Sequence, residues 1–298
     1  MVYSKQNKTM IAKFSIKDLE TLSGIKAHTL RIWEQRYGIL KPERTESNIR
    51  YYCNEELKQL LNITMLYNHG FKISKIASLD NKTIVTEVNK IIDAQISPCD
   101  QIDSLIIAMV EIDENRFEKI ISNNILHHGF SHTIEKIVYP FLHKIGVMWL
   151  TGFVNPAQEH FISNLIRQKL IVAIDGVIAP ETKDAKSFVL FLPDMELHEL
   201  SLLYFTYLLK SRGHKITYLG QSVPFLDVEK VIEIRNPQYL VSVFTHNMID
   251  PEQYISDLSK AFPKLNILLS GAQLASITKK LPANIHLFKT PEDFLKLI

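Results

Sequence analysis

Glu196 and His198 stand two residues apart in "LPDMELHELS", residues 192–201, where an apolar strand-like run gives way to a long apolar helix-like one. A connection at such a point ordinarily uses Gly, Asn or Ser. A carboxylate beside an imidazole can hold one ring nitrogen and raise the basicity of the other, the arrangement that supports metal-bound histidines. Spacing alone does not separate that role from a hydrogen-bonded surface histidine. A second group, Trp149, Glu159 and His160, lies in "WLTGFVNPAQEH". Read by itself it is equally a core tryptophan and an acid favoured at a helix N-terminus.

A third set is basic. Residues 1–50 hold ten Lys/Arg against five Asp/Glu, an excess of +5 in a chain whose net charge is only +2. A basic head on a slightly acidic body suits a nucleic-acid contact, although it also suits a solvated face. The elements that would position these charges are short helices. "SIKDLETLSG" offers Ser15 as an N-cap with Asp18 three residues on, Ile16, Leu19 and Leu22 as the buried stripe, and Gly24 as the stop. "KAHTLRIWEQRYG" predicts a second helix with Leu30 and Trp33 turned inward. His28, Thr29 and Arg31 are left outside, with Arg36 and Tyr37 at the helix end. "LKPERTESNIRYY" predicts a two-stranded wing whose Arg44 and Arg50 flank a polar tip, followed by Tyr51. Helix, Gly-containing turn, helix and wing make a winged helix-turn-helix, and arginines on its outer face suit phosphates and base edges.

Behind this head, residues 95–180 carry four helical patterns punctuated by Gly129, Gly152 and Gly176, which predicts a four-helix bundle. From about residue 186 the pattern alternates. "SFVLFL", "KITYLG", "YLVSVF", "NILLSG" and "IHLF" read as buried parallel strands, with helical stretches beginning near His198, Pro224, Pro251 and Ala272. That alternation predicts a doubly wound parallel α/β sheet, in which ligands bind beyond the C-terminal strand ends. His198 falls there. The expected organisation is therefore multidomain α and α/β: a head over 10–80, a linker over 81–98, a bundle over 99–182 and an α/β module over 183–298.

Composition narrows the class. At 298 residues, with 46% hydrophobic and 22% charged content, the chain has the profile of a globular protein of more than one domain. No apolar run approaches the roughly 18 residues of a membrane span. The N-terminal stretch lacks the apolar core of a secretory signal, so the expected location is the cytoplasm. Cys53 and Cys99 form neither a disulfide framework nor a zinc set.

The order of residues in "HTLRIWEQRYGILKPERTESNIRYY" resembles the DNA-binding head of the MerR family of bacterial regulators. With a helical bundle and a five-strand α/β module behind it, the chain resembles the cobalamin-binding regulators of the CarH type. The signature of that module is Asp or Glu, any residue, His, two residues and Gly, then Ser-x-Leu, then Gly-Gly. Here Glu196, His198 and Ser201 are followed after 40 residues by Ser242–Val243–Phe244 and after 25 more by Ser270–Gly271. Trp149, with Glu159 and His160 ten and eleven residues on, matches the Trp-x9-Glu-His motif of that family's helical cap.

The resemblance implies that His198 ligates cobalt from below, with Glu196 orienting it. The cofactor's displaced tail would occupy a slot kept open by small side chains at Ser201, Ser242, Ser270 and Gly271, with Ser242 bonding its base. Trp149, Glu159 and His160 would lie beside the upper axial group, for which adenosylcobalamin is the favoured form. A double-stranded DNA operator and a homo-oligomer, dimer or tetramer, are the implied partners. Ser201, Phe244 and Ser270 depart from the signature's Gly, Leu and Gly, and each narrows the slot. Leu150 replaces the histidine that follows Trp in light-responsive members, so the resemblance implies cobalamin binding without implying light sensing. A regulator answering to another ligand or a partner protein is the alternative. An enzymatic methyl carrier would need a catalytic domain for which no region is left.

Overall fold

A computed structural model describes residues 13–45, 47–93, 97–150, 154–245, 250–277 and 280–298. Two compact units divide the chain, Met1–Leu165 and Ile166–Ile298.

The first unit opens on α1 (Ile16–Ser23), α2 (Ala27–Tyr37), β1 (Glu43–Arg44), β2 (Arg50–Tyr51), α3 (Asn54–Asn68), α4 (Ile73–Ile76) and α5 (Asn81–Asp93). Ser15 and Asp18 form a reciprocal capping box on α1, and Gly24 ends it at φ +73°. Both choices satisfy backbone groups that a helix end leaves orphaned. β1 and β2 pair antiparallel through Glu43–Tyr51 and Arg44–Arg50, giving the expected wing. α3 buries Leu57, Leu60, Leu61, Ile63, Met65 and Leu66, because it packs against α1, α5 and α6.

Residues 81–98, expected as a linker, are ordered helix over most of their length. Ile84 and Val88 of α5 are buried, and α5 packs on α3. Ile84, Val88, Ile91 and Ile92 recur at helical spacing with Lys82, Glu87 and Lys90 between them, the pattern of an amphipathic helix. Residues 94–96 of the expected linker and 10–12 of the expected head lie outside the described residues.

The bundle consists of α6 (Pro98–Glu111), α7 (Glu114–His128), α8 (Phe130–Thr133), a π-helical turn (Ile134–Val138), α9 (Tyr139–Leu150) and α10 (Pro156–Asp175), within which the division between units falls. Ser97 caps α6 and Asp113 caps α7 through the backbone N–H groups of Asp100 and Arg116.

The second unit continues through β3 (Ser187–Pro193), α11 (Leu200–Lys210), β4 (Lys215–Val223), α12 (Phe225–Arg235), β5 (Tyr239–Val243), α13 (Pro251–Ala261), β6 (Asn266–Ser270), β7 (Ile285–Leu287) and α14 (Pro291–Lys296). All five strands are parallel, in the order β4-β3-β5-β6-β7. The helical start expected at Ala272 is a 3-10 turn over Ala272–Ser276, and α14 was not foreseen. Val189, Phe191, Leu240, Phe244, Ile267 and Leu269 pack with Val228 of α12 and Ile255 and Leu258 of α13. Because β4 and β5 lie on opposite sides of β3, the chain reverses its winding at β3, and a crevice opens at such a reversal. The 194–199 connection starts from the C-terminal end of β3.

β5 and β6 are drawn together just past their ends. Phe244 N–H donates to Ser270 O at 2.7 Å, and Gly271 sits at φ +121°. A Cβ on Gly271 would meet Phe244 O at 2.1 Å. Gly271→Ala is therefore expected to lower stability by about 2 kcal/mol or more. Gly146→Ala, on α9 with nothing within 4 Å of its Cβ, should stabilise by up to about 1 kcal/mol. Urea unfolding of the two variants checks the contrast.

Candidate cofactor site and nucleic-acid interface

Glu196 is the buried member of the pair, at 2% exposure, while the His198 side chain is 60% exposed. One carboxylate oxygen, Oε1, receives His198 N–H at 3.0 Å and lies 2.6 Å from His198 Nδ1. The other, Oε2, receives Thr245 N–H at 2.6 Å, just past the end of β5. Glu196 Oε1 is thus placed to accept a hydrogen bond from Nδ1, which fixes the orientation of the ring. An imidazole held by a buried carboxylate at the end of a strand is the pairing that supports metal-ligating histidines.

The residues expected to line a slot behave differently. Ser242 is fully buried, and its hydroxyl donates to Phe191 O at 2.9 Å. Phe244 is also fully buried, edge-on to Tyr254 with ring centroids 5.7 Å apart. Ser201, Ser270 and Gly271 are partly buried. Ser242 therefore seals two strands together, and Gly271 is small because Phe244's backbone passes against it. The Tyr254 hydroxyl is buried beside Phe244 without a hydrogen-bond partner. Burial, and then the charge of Asp194, push it well above the ordinary tyrosine range, so it remains a donor.

In the first unit Trp149 is 46% exposed on α9, an unusual position for a large aromatic ring. Glu159, in the first turn of α10, accepts from Ser163 Oγ at 2.5 Å and lies 2.8 Å from Nδ1 of the largely exposed His160. Asn155 and Gln158 fix that helix start by mutual side chain–backbone bonds.

In the head, His28, Arg31 and Arg36 are exposed on α2, with Thr29 and Tyr37 partly so. Leu30 and Trp33 are buried, as the helical period requires. The wing arginines are already engaged. Arg44 donates to Asn48 Oδ1 at 2.7 Å, and Arg50 Nε donates to Glu34 Oε1 at 3.2 Å. Tyr51 donates to Glu43, with Lys13 over its ring at 4.4 Å. Tyr52 donates to the same Glu34 from a buried position that raises its hydroxyl to about 12, chiefly through desolvation. Glu34 thus ties the wing to α2, a role that its position in the sequence does not reveal.

Two further networks around His198 went unforeseen. Glu199, buried, accepts from Arg167 Nε at 2.5 Å and Tyr218 Oη at 2.6 Å. Gln221 and Ser222, at the end of β4, bond to the backbone of the 194–198 loop. An apolar residue before Gly220 and polar ones after it carry no periodic signal that would have found them.

Comparison with known proteins adds the following. The model of the MerR HTH family regulatory protein matches residues 14–82, and that of a B12 binding domain matches residues 101–173. The HTH-type transcriptional repressor CarH of Myxococcus xanthus is 26% identical over 288 residues, covering 93% of this chain and 95% of that protein. The repressor CarA of the same organism is 23% identical over 83% of this chain and 81% of its own length. The HTH-type transcriptional regulator ZntR homolog of Haemophilus influenzae is 33% identical over 107 residues, which are 34% of this chain and 78% of that protein.

Glu196→Ala would remove the carboxylate that accepts the N–H groups of His198 and Thr245, at an expected cost of about 1–3 kcal/mol. Glu196→Gln keeps one acceptor and should cost less. Equal unfolding midpoints for both variants and the unaltered chain would contradict the assignment.

Proposed function

This chain belongs to the MerR HTH family of regulatory proteins, and we propose that it is a DNA-binding transcriptional regulator controlled by cobalamin through His198. It is a regulator rather than an enzyme, in keeping with its head and with the repressors that it resembles along most of its length. The observation that carries the cofactor reading is the Glu196–His198 pair at the sheet's switch point. The B12 binding domain match over 101–173 supports it.

Each residue has a defined part. Glu196 holds Nδ1 and so would orient the ring for ligation through Nε2. His198 would supply that nitrogen. Bound cobalamin would supply a cobalt ion able to take an imidazole nitrogen as a ligand. Trp149, Glu159 and His160 would take part in holding the cofactor, and an adenosyl group suits an exposed indole by stacking. Tyr254 Oη offers a donor at the strand ends. Phe244 and Ser242, closed in the core, would have to yield for the cofactor's tail to enter between the strands.

The head would read a double-stranded operator through His28, Thr29, Arg31, Arg36, Tyr37, Arg44, Arg50 and Tyr51. The two arms of the wing are braced by Glu34 and Asn48 rather than loose. A homo-oligomer, dimer or tetramer, on a pseudo-palindromic site is the geometry by which such heads gain spacing specificity. Among the described residues no helix is long and apolar enough to cross a membrane, and cytoplasmic residence is part of the proposal.

Adenosylcobalamin mixed in the dark with the full chain should stay bound through gel filtration and give a spectrum with histidine on cobalt and the cofactor's own base displaced. His198→Ala should lose that signature, and Glu196→Ala should weaken binding by about 10–100-fold. A cofactor spectrum unchanged by the protein would contradict the reading and leave a MerR-type regulator that answers to another ligand.

A further inference from the structure

The loop that presents His198 is held in a conformation that ordinary residues resist. Met195 lies at φ +66° and Ser222 at φ +49°, and neither is glycine. Such backbone persists only where surrounding contacts over-determine it, and it concentrates at ligand sites. The loop also leaves Met195 74% and Leu197 61% exposed, one apolar side chain on each side of the buried Glu196. Nothing in the core of the α/β module gains from that display.

The contacts that impose it come from one place. At its C-terminal end β4 slips out of register with β3 twice, between Leu190 and Phe191 and again between Phe191 and Pro193. Gly220 turns there at φ +83°. A regular strand would send Gln221 and Ser222 to opposite faces of the sheet; the irregular one brings both to the loop. Ser222 Oγ donates to Asp194 Oδ1 at 2.8 Å and accepts Met195 N–H at 3.0 Å. Ser222 N–H donates to Glu196 O at 3.1 Å, and the Gln221 amide donates to Leu197 O at 2.6 Å. Two neighbouring residues therefore grip four consecutive ones, Asp194 to Leu197, immediately before His198. Beyond His198, Glu199 is held by Tyr218 of the same strand.

We propose that Gln221 and Ser222 are positioning residues, a latch at the bulged end of β4 that presets the Asp194–His198 loop for ligation by His198. The inference rests on the cobalamin reading of that histidine. Its physical content is preorganisation: the loop pays its conformational cost on folding, so less is lost when the ligand binds.

The test uses the full chain with Gln221→Ala and with Ser222→Gly. Glycine takes φ +49° without strain and removes the hydroxymethyl group that makes two of the latch bonds, which keeps the variant foldable. Two readouts are needed: amide hydrogen exchange of the cofactor-free proteins, and titration with hydroxocobalamin followed by visible spectroscopy. The latch requires exchange at residues 195–198 to quicken by about tenfold or more while that of α6 and α7 is unchanged. It also requires affinity to fall by about tenfold, with a smaller share of bound cofactor showing histidine on cobalt. Variants that bind as the unaltered chain does, with unchanged exchange and spectrum, would overturn the latch alone. An unaltered chain that never shows histidine on cobalt would overturn the cobalamin reading and the latch with it.

Discussion

A carboxylate removed from water must be paired, and the pairing of Glu196 organises the part of this molecule that chemistry would use. Its two oxygens collect the N–H groups of His198 and Thr245 and the Nδ1 edge of the imidazole. Those partners belong to the loop after β3 and to the chain beyond β5, so one buried charge spans the switch point of the sheet. An unpaired charge there would cost several kcal/mol, which is why the loop cannot relax away from it. The carboxylate holds the ring through Nδ1.

The same logic explains why neighbouring side chains serve the backbone rather than an open slot. Ser242 is spent on Phe191 O, and Gly271 is small so that Phe244 can pass. The head follows a comparable rule. Glu34 accepts from both Arg50 and Tyr52, so the wing is anchored to the helix that presents Arg31. α3, buried on the sides facing α1 and α6, joins the head to the bundle through apolar contacts and a Lys58–Glu111 ion pair.

Much of this could be read from residues alone, for identifiable reasons. Capping boxes and glycine stops are local, so Ser15, Asp18 and Gly24 announced α1. Buried parallel strands are short apolar runs, and each of the five lay where its run predicted. Glu196 and His198 were visible because acid and imidazole are out of place at a strand end. What stayed hidden depends on distant partners or on backbone geometry. Glu199 gains meaning only when Arg167 and Tyr218 reach it. Positive φ at Met195 and Ser222 is invisible in residues that rarely adopt it. α5, by contrast, carries a legible amphipathic pattern, but the polar stretches on either side of it read as a joint.

The central claim is that His198 connects a cofactor to the DNA-binding head. The most direct measurement is the affinity for a DNA site selected from a random pool by the unaltered chain, taken in the dark with and without adenosylcobalamin, for that chain and for His198→Ala. The account predicts that the cofactor changes the affinity of the unaltered chain by about tenfold or more, the scale of a typical coupling energy, and leaves that of His198→Ala unchanged. An equal response from both proteins, or none from either, would contradict it.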